Sequence, residues 1–507
     1  MKVYHNSQDP AYRSPKGAVA AGTRVALSLT AEGACPILSC RLHLFPDGAD
    51  TDPVLMNGVR RSGLSQLFSI ETAASASPAL CWYYFSVTDE SGQTWYYGNN
   101  SQRLGGEGAL YDHVPPPFQI TVYTPSPVPD WYTQSIIYQI FPDRFARDGN
   151  WLARQAAAGA EPTTEGAAFR LIQQDWHDQP FYCRNRSGEV TRWPFFGGSL
   201  EGIRSRLFYL KSLGVGAIYL NPIFSARSNH KYDTADYLRI DPAFGCWEDF
   251  SRLSRDSERL GIRLILDGVF NHTGSDSRYF NRFGHYRQPG ACQGPESVYY
   301  NWYCFTRFPD EYACWWGVAD LPAVNKDDVS YQEFIFGGRD SVIRRWLAAG
   351  ASGWRLDVAD ELPDAFISGI KKAMREADPQ SVLIGEVWED ASNKVSYGQR
   401  RRYLLGEELD SAMNYPLRGL LLDYICGRCS AESAVRQLFC LAENYPPENF
   451  RAAFNLIGSH DQPRILTLLG DAPQKLPDME KEQYRLPEDK YALAKQRLKL
   501  MSLLRCV

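Results

Sequence analysis

The sequence predicts an α/β protein: a (β/α)8-type TIM barrel with its eighth strand lacking in this chain, preceded by an all-β sandwich. Three observations carry this. Residues 1–124 hold short aromatic and apolar runs broken by Ser, Asp and Gly, as sandwich strands and turns do. From Trp131 onward, short apolar segments alternate with longer helical stretches, the pattern of repeated β-α units on a parallel sheet. Several of those apolar segments end in charged residues, where a β/α barrel carries its chemistry.

Taken in order, Val25–Leu29 and Leu42–Phe45 have the two-residue alternation of strands. Trp82–Val87 and Trp95–Tyr97 are aromatic strands, and Thr88–Gln93 between them is a hairpin turn. Alternating aromatics in a sandwich pack in its core, so Trp82 and Trp95 are assigned to packing before sugar stacking. Pro115, Pro116, Pro117, Pro125, Pro127 and Pro129 mark the domain boundary, with the barrel taken as residues 125–507. Barrel strands are expected at Ile136–Phe141, Ala217–Asn221, Arg263–Phe270, Gly353–Val358, Val382–Val387, Ala412–Tyr415 and Ala452–Ile457. Helices are expected at Ser199–Leu213, Glu248–Leu260, Asp340–Ala349, Asp364–Ala377 and Asp489–Leu504. Residues 273–330 are long, aromatic and poor in regular pattern, an inserted small subdomain. No eighth strand and no C-terminal β domain are legible. The chain therefore reads as a C-terminally incomplete barrel with two open edges.

Composition narrows the function. At 44% hydrophobic and 22% charged residues, the chain has ample material for a large core, which excludes a mainly disordered protein. A net charge of -5 argues against nucleic acid or an anionic membrane as partner. No run of 18 apolar residues occurs, and MKVYHNSQDPAYRSPKG has no signal-peptide core, so a cytoplasmic location is expected. The twelve cysteines are expected to be reduced and mostly buried, with Cys426 and Cys429 as two helix-face thiols.

Charged residues cluster at four expected strand ends: Asp267, Asn271 and His272; Arg355 and Asp357; Glu386; and His460 with Asp461. One Asp at a strand end is ordinarily a cap, but four strands ending this way point to a shared barrel mouth. Such residues suit glycoside hydrolysis by retention, which needs two carboxyls about 5–5.5 Å apart, one nucleophile and one acid/base. Asp357 and Glu386 end consecutive strands, and neighbouring strands lie about 4.8 Å apart. Arg355 is expected to keep Asp357 ionised, and Glu386 to hold a proton through a raised pKa. Asp461 could stabilise an oxocarbenium charge, and His272 and His460 could donate to sugar hydroxyls.

The ordered motifs D-x-x-x-N-H, G-x-R-x-D, G-E-V-W and H-D resemble the conserved regions of the α-amylase family of glycoside hydrolases (family 13). The segments 137-IYQIFPDRF-145, 219-YLNPIF-224 and 229-NHKYDTADY-237 resemble its neopullulanase, cyclomaltodextrinase and amylopullulanase-like branch. That resemblance implies Asp357 as nucleophile, Glu386 as acid/base and Asp461 as transition-state stabiliser. It implies Arg355, His272 and His460 around the first subsite, Tyr232 as aromatic platform and Asp267 as structural support. It places Trp388 and Glu361 on the leaving-group side and Asn325 in the fifth region, which here reads Leu321-Pro322-Ala323-Val324-Asn325 without the usual lysine. The implied substrates are starch-derived glucans, pullulan or cyclodextrins, and the missing lysine leaves open whether α-1,4 bonds alone or both α-1,4 and α-1,6 bonds are cut. No cofactor is required, and the loop Asp148-Gly149-Asn150 does not support a calcium site. The N-terminal domain could mediate a homodimer, as in that branch. A glucan transglycosylase and a truncated, non-catalytic carbohydrate-binding fragment stay open as alternatives.

Overall fold

The computed structural model describes residues 1–33, 35–62, 65–160, 169–186, 188, 190–471 and 484–504. Alternation along strand Arg24–Glu32 turns Val25, Leu27, Leu29 and Ala31 to one buried face. It pairs antiparallel with Ser65–Ala73 in the first of two sheets. The second sheet is built on Ala79–Asp89, which pairs with Ile37–Pro46, Thr94–Gly98 and Phe118–Tyr123. Tyr83, Phe85, Val87, Phe118, Ile120 and Val122 meet the first sheet in one core. The hairpin between Ala79–Asp89 and Thr94–Gly98 is thus present, but Tyr83 and Phe85 pack inward in place of the Trp82 expected there. Trp82 faces the other way. Its indole N–H donates to Asp47 (2.6 Å), and Arg400 from the second half of the chain covers its ring at 5.5 Å.

Among the described residues six parallel strands follow: β1 (Ile136–Ile140), β2 (Val215–Leu220), β3 (Arg263–Gly268), β4 (Gly353–Leu356), β5 (Val382–Gly385) and β6 (Ser411–Ala412). They lie side by side in chain order, the arrangement that successive β-α units give. The strands β2–β5 are almost wholly buried because both faces are covered, which is why each reads as a continuous apolar run. Helix Asp364–Ala377 covers one face with Phe366, Ile367, Ile370, Ala373 and Met374 at helical spacing. Residues 199–213 hold two short helices, Leu200–Ser205 and Leu207–Ser212, interrupted at Arg206, where one was expected. The insertion after β3 contains only single-turn helices and one small hairpin, Phe305–Arg307 with Glu311–Tyr312.

The expected seventh strand is a correction. Residues 452–457 run beside β6 but make a single parallel bridge, Met413 with Phe454. That segment finds a partner on one side only among the described residues, so no ladder extends along it. On the opposite edge β1 pairs only with β2 among the described residues, and Ile136 and Tyr138 are exposed. Helix Glu488–Leu504 packs through Ala494 and Met501 on Leu421, Leu422 and Leu469. The cysteines differ from expectation in their burial. Among the described residues all are free, and only Cys40, Cys81 and Cys440 are buried. Cys426 caps the end of helix Tyr415–Ile425 and Cys429 lies in the turn beyond it, so neither sits on a helix face. No described helix is long and apolar enough to cross a membrane.

The sandwich and the barrel are tied by buried polar contacts. Arg13 and Glu443 form an ion pair at 2.9 Å with both side chains buried, and Gln119 donates to Ser392 at 2.9 Å. The Thr121 hydroxyl donates to the Asn444 carbonyl at 2.6 Å.

Candidate active site

The C-terminal ends of β3, β4 and β5 bring three carboxylates onto one guanidinium. Register places Asp267 opposite Arg355, and Leu356 opposite Gly385, so the next residues, Asp357 and Glu386, project side by side. Arg355 is fully buried. Its Nη1 donates to Asp267 Oδ1 (2.7 Å) and Asp357 Oδ1 (2.8 Å), while its Nη2 lies 3.0 Å from Glu386 Oε2. Carboxyls that share the two terminal nitrogens of one guanidinium fit the about 5–5.5 Å separation of retention better than the wider gap of inversion.

Glu386 is held by two further donors. The Val358 amide donates to Oε2 (2.7 Å) and the Trp388 indole to Oε1 (3.1 Å). Val358 reaches that position in the left-handed region at φ 40°, a conformation a β-branched residue adopts only when its surroundings impose it. Trp388 is half exposed and stacks face to face on Tyr415, with centroids 4.2 Å apart.

Beneath the pair, Asp267 Oδ2 accepts from the hydroxyls of Tyr219 (2.5 Å) and Tyr232 (2.7 Å). Tyr232 lies parallel to the His460 ring, centroids 5.1 Å apart. His460 Nδ1 accepts from the side-chain amides of Gln139 (2.9 Å) and Asn221 (3.0 Å). Its ring proton is therefore on Nε2, which faces Asp461 Oδ2 at 3.1 Å. His272 is likewise a neutral Nε2–H tautomer. Nε2 donates to the Tyr232 carbonyl (3.1 Å), and Nδ1 accepts from Asn271 (3.2 Å). Burial holds both rings neutral, His460 at about 3 and His272 at about 4.

The electrostatics correct one expectation. Arg355 does pull Asp357 toward ionisation, but burial is the larger influence and pushes its carboxyl well above the usual range, with Glu386 and Asp267 adding to the rise. Asp267 is also raised, again by burial first. One guanidinium faces three carboxylates here, so burial and mutual repulsion oppose the ionisation of Asp357 and Asp267 while Arg355 favours it. Asp461 is raised to about 6 by burial and then by Glu386.

Of the residues singled out from the sequence, Asp267, Arg355, Asp357, Glu386, Trp388, Tyr232, His460 and Asp461 form one continuous network. His272 joins it through the Tyr232 carbonyl. Glu361 stands on the rim, where its Oε1 accepts from Trp316 Nε1 (3.0 Å) and from the Tyr397 hydroxyl. Asn325 is not brought in. Its side chain accepts the Asp327 amide (3.2 Å) and its backbone pairs with Trp302. The contact comes from the next residue, Lys326, whose Nζ donates to Asn271 Oδ1 (2.8 Å). Sequence reasoning missed Lys326, Gln139, Asn221 and Tyr219. The last three lie in segments quoted for their family likeness, without a role of their own.

The oxygens of Asp148 and the side-chain oxygen of Asn271 are engaged by protein donors. Asp148 Oδ2 accepts from Arg154 (2.8 Å) and Ser199 (2.6 Å), and its Oδ1 from the Asn150 amide (2.6 Å). The Asn271 side-chain oxygen accepts from the Lys326 ammonium at 2.8 Å.

The model of the α-amylase catalytic domain matches residues 139–486. An amylopullulanase of Thermoanaerobacterium saccharolyticum is 36% identical over 97% of this chain and 40% of its own length. Neopullulanase 2 of Thermoactinomyces vulgaris is 33% identical over 76% of this chain and 60% of its own. The type III pullulan hydrolase of Thermococcus kodakarensis has a similar solved structure, with a TM-score of 0.62 and 29% identity, over 99% of this chain and 78% of that one. The chain spans less than two thirds of the length of the curated relatives it matches.

Proposed function

The chain belongs to the α-amylase catalytic-domain family, and from that premise we propose that it is a retaining hydrolase of α-1,4 and α-1,6 glucosidic bonds in starch-derived glucans, pullulan or cyclodextrins. The observation that carries this reading is the pairing of Asp357 and Glu386 on the two terminal nitrogens of Arg355. In the first step Asp357 attacks the anomeric carbon while Glu386 gives a proton to the departing glycosidic oxygen. The products of that step are a glycosyl–Asp357 ester and a shortened glucan. In the second step Glu386 takes a proton from water, which releases the sugar with its original configuration. Asp461 sets a carboxylate against the positive charge that develops at the ring, and the Nε2–H of His460 holds it in place. Tyr232 and His460 give the sugar an aromatic wall whose tilt is set by Asp267 and the amides of Gln139 and Asn221.

Incubation with pullulan tests this, with Asp357→Asn as control. Panose is the expected product of α-1,4 cleavage and maltotriose that of α-1,6 cleavage. No reducing sugar above the control would contradict the reading.

A pH dependence follows from Asp461, which must be ionised to face positive charge. Its carboxyl sits at about 6, so kcat/KM is expected to fall as pH is lowered through about 6. A profile flat from neutrality to a full unit below that value would contradict this role. Metal removal is expected to leave activity unchanged, because Arg154 and Lys326 already occupy the oxygens a calcium ion would use. A large loss on dialysis against chelator, restored by calcium, would overturn that.

A further inference from the structure

Two exposed aromatic side chains converge on one carboxylate at the rim of the cleft. Trp316 and Tyr397 are 78% and 70% exposed, well above what large rings usually retain. They come from separate loops: Trp316 from the insertion after β3, Tyr397 from the hairpin Val395–Ser396 with Gln399–Arg400 after β5. Both donate to Oε1 of Glu361, which stands four residues beyond Asp357 on a third loop. Glu361 Oε2 accepts no hydrogen bond among the described residues.

The local chemistry of the two tips is the same. Trp316 (φ 48°) precedes Gly317 (φ 79°), and Tyr397 (φ 51°) precedes Gly398 (φ 75°). A turn with two successive positive φ angles favours Asn, Asp or Gly first, and a bulky aromatic there is costly. Neither ring recovers that cost by burial, and strain of this kind collects at ligand-binding positions.

Both tips are also rigidly mounted. The Tyr397 hairpin is fastened beside Glu361 by Arg401, which binds the Asp360 carbonyl (2.9 Å) and the Ser396 hydroxyl (3.1 Å). Trp316 stacks on Trp315 (5.4 Å), and Trp315 on His272 (5.3 Å), so a column of rings runs from the catalytic floor to the rim. The segment that carries Glu361 begins at Val358, the residue bound to the acid/base carboxyl. The rim group therefore lies on the side toward which the leaving group departs.

We propose that Trp316 and Tyr397 form an aromatic clamp for the leaving-group part of an α-glucan chain, with Glu361 between them to accept sugar hydroxyls. This rests on the α-glucan reading of the site. The flat faces of the two rings suit the apolar faces of glucose units, and the shared carboxylate sets the gap between them.

Calorimetric titration of the Glu386→Gln chain with maltohexaose tests the clamp, alone and with Trp316→Ala, Trp316→Phe or Tyr397→Ala added. Each alanine variant is expected to raise Kd about tenfold, as loss of an exposed aromatic anchor does, and Trp316→Phe to restore most of it. Kd within twofold of the parent in both alanine variants overturns the clamp, as does a parent that shows no saturable binding. The pullulan digest separates the two claims. Glucan binding that weakens in the variants without any pullulan cleavage keeps the clamp and removes the hydrolase. Cleavage with unchanged variant affinities removes the clamp alone.

Discussion

Asp357→Asn is expected to lower turnover on α-glucans by on the order of 10⁴-fold or more while leaving the fold intact. The substitution exchanges one carboxylate oxygen for an amide in a buried site without changing its volume. An Asn oxygen can still accept from Arg355 Nη1, now 2.8 Å from Asp357 Oδ1, and Arg355 keeps its bond to Asp267. What is lost is the nucleophile, and no other carboxyl can replace it. Asp267 is covered by Tyr219, Tyr232 and Arg355. Steady-state rates with purified chain, beside a thermal melt, check this. A variant that melts with the parent and retains near-parent turnover would remove Asp357 from the role.

Glu386→Gln is expected to cost about 10²–10⁴-fold on glucans, whose leaving oxygen needs a proton, and much less on aryl glycosides that leave unaided. Equal losses on both substrate types would count against general-acid catalysis. The structure adds a second consequence. Both close contacts of the Glu386 carboxyl besides Arg355 are donors, the Val358 amide and the Trp388 indole. A glutamine offers one acceptor and one donor, so it can satisfy only one of them. A loss of about 1–3 kcal/mol in stability is expected from the other, read as a lower midpoint in chemical denaturation.

Much of this site is visible in the sequence because of where parallel strands put their ends. A strand buried on both faces must be apolar, so Leu264–Leu266 and Val382–Gly385 stand out, and the polar residue that follows each marks the barrel mouth. The same logic misled at residues 452–457, which are apolar enough for a strand but gain a single bridge. An apolar run records burial, and burial does not require a ladder.

Residues in long loops were less legible. Lys326 lies one position past the asparagine that drew attention, and only the folded insertion brings its ammonium to Asn271. Trp316 and Tyr397 sit 81 residues apart and meet only through Glu361. Their shared aromatic–glycine dipeptide was a local signal, yet it has no meaning until both φ angles are known. The ionisation of Asp357 was misjudged for a related reason. Arg355 lies only two positions away in sequence, whereas the depth of burial and the approach of Glu386 and Asp267 belong to the fold.

The most direct test of the account is to locate the covalent intermediate. α-Maltosyl fluoride needs no proton to leave, so Glu386→Gln should still form the glycosyl ester but should hydrolyse it slowly for want of a base. Peptide mass mapping after brief incubation is predicted to find one maltosyl group on the peptide that carries Asp357. Fluoride release with the chain unmodified and β-maltose as the product, or a sugar attached to any other carboxyl, would contradict it.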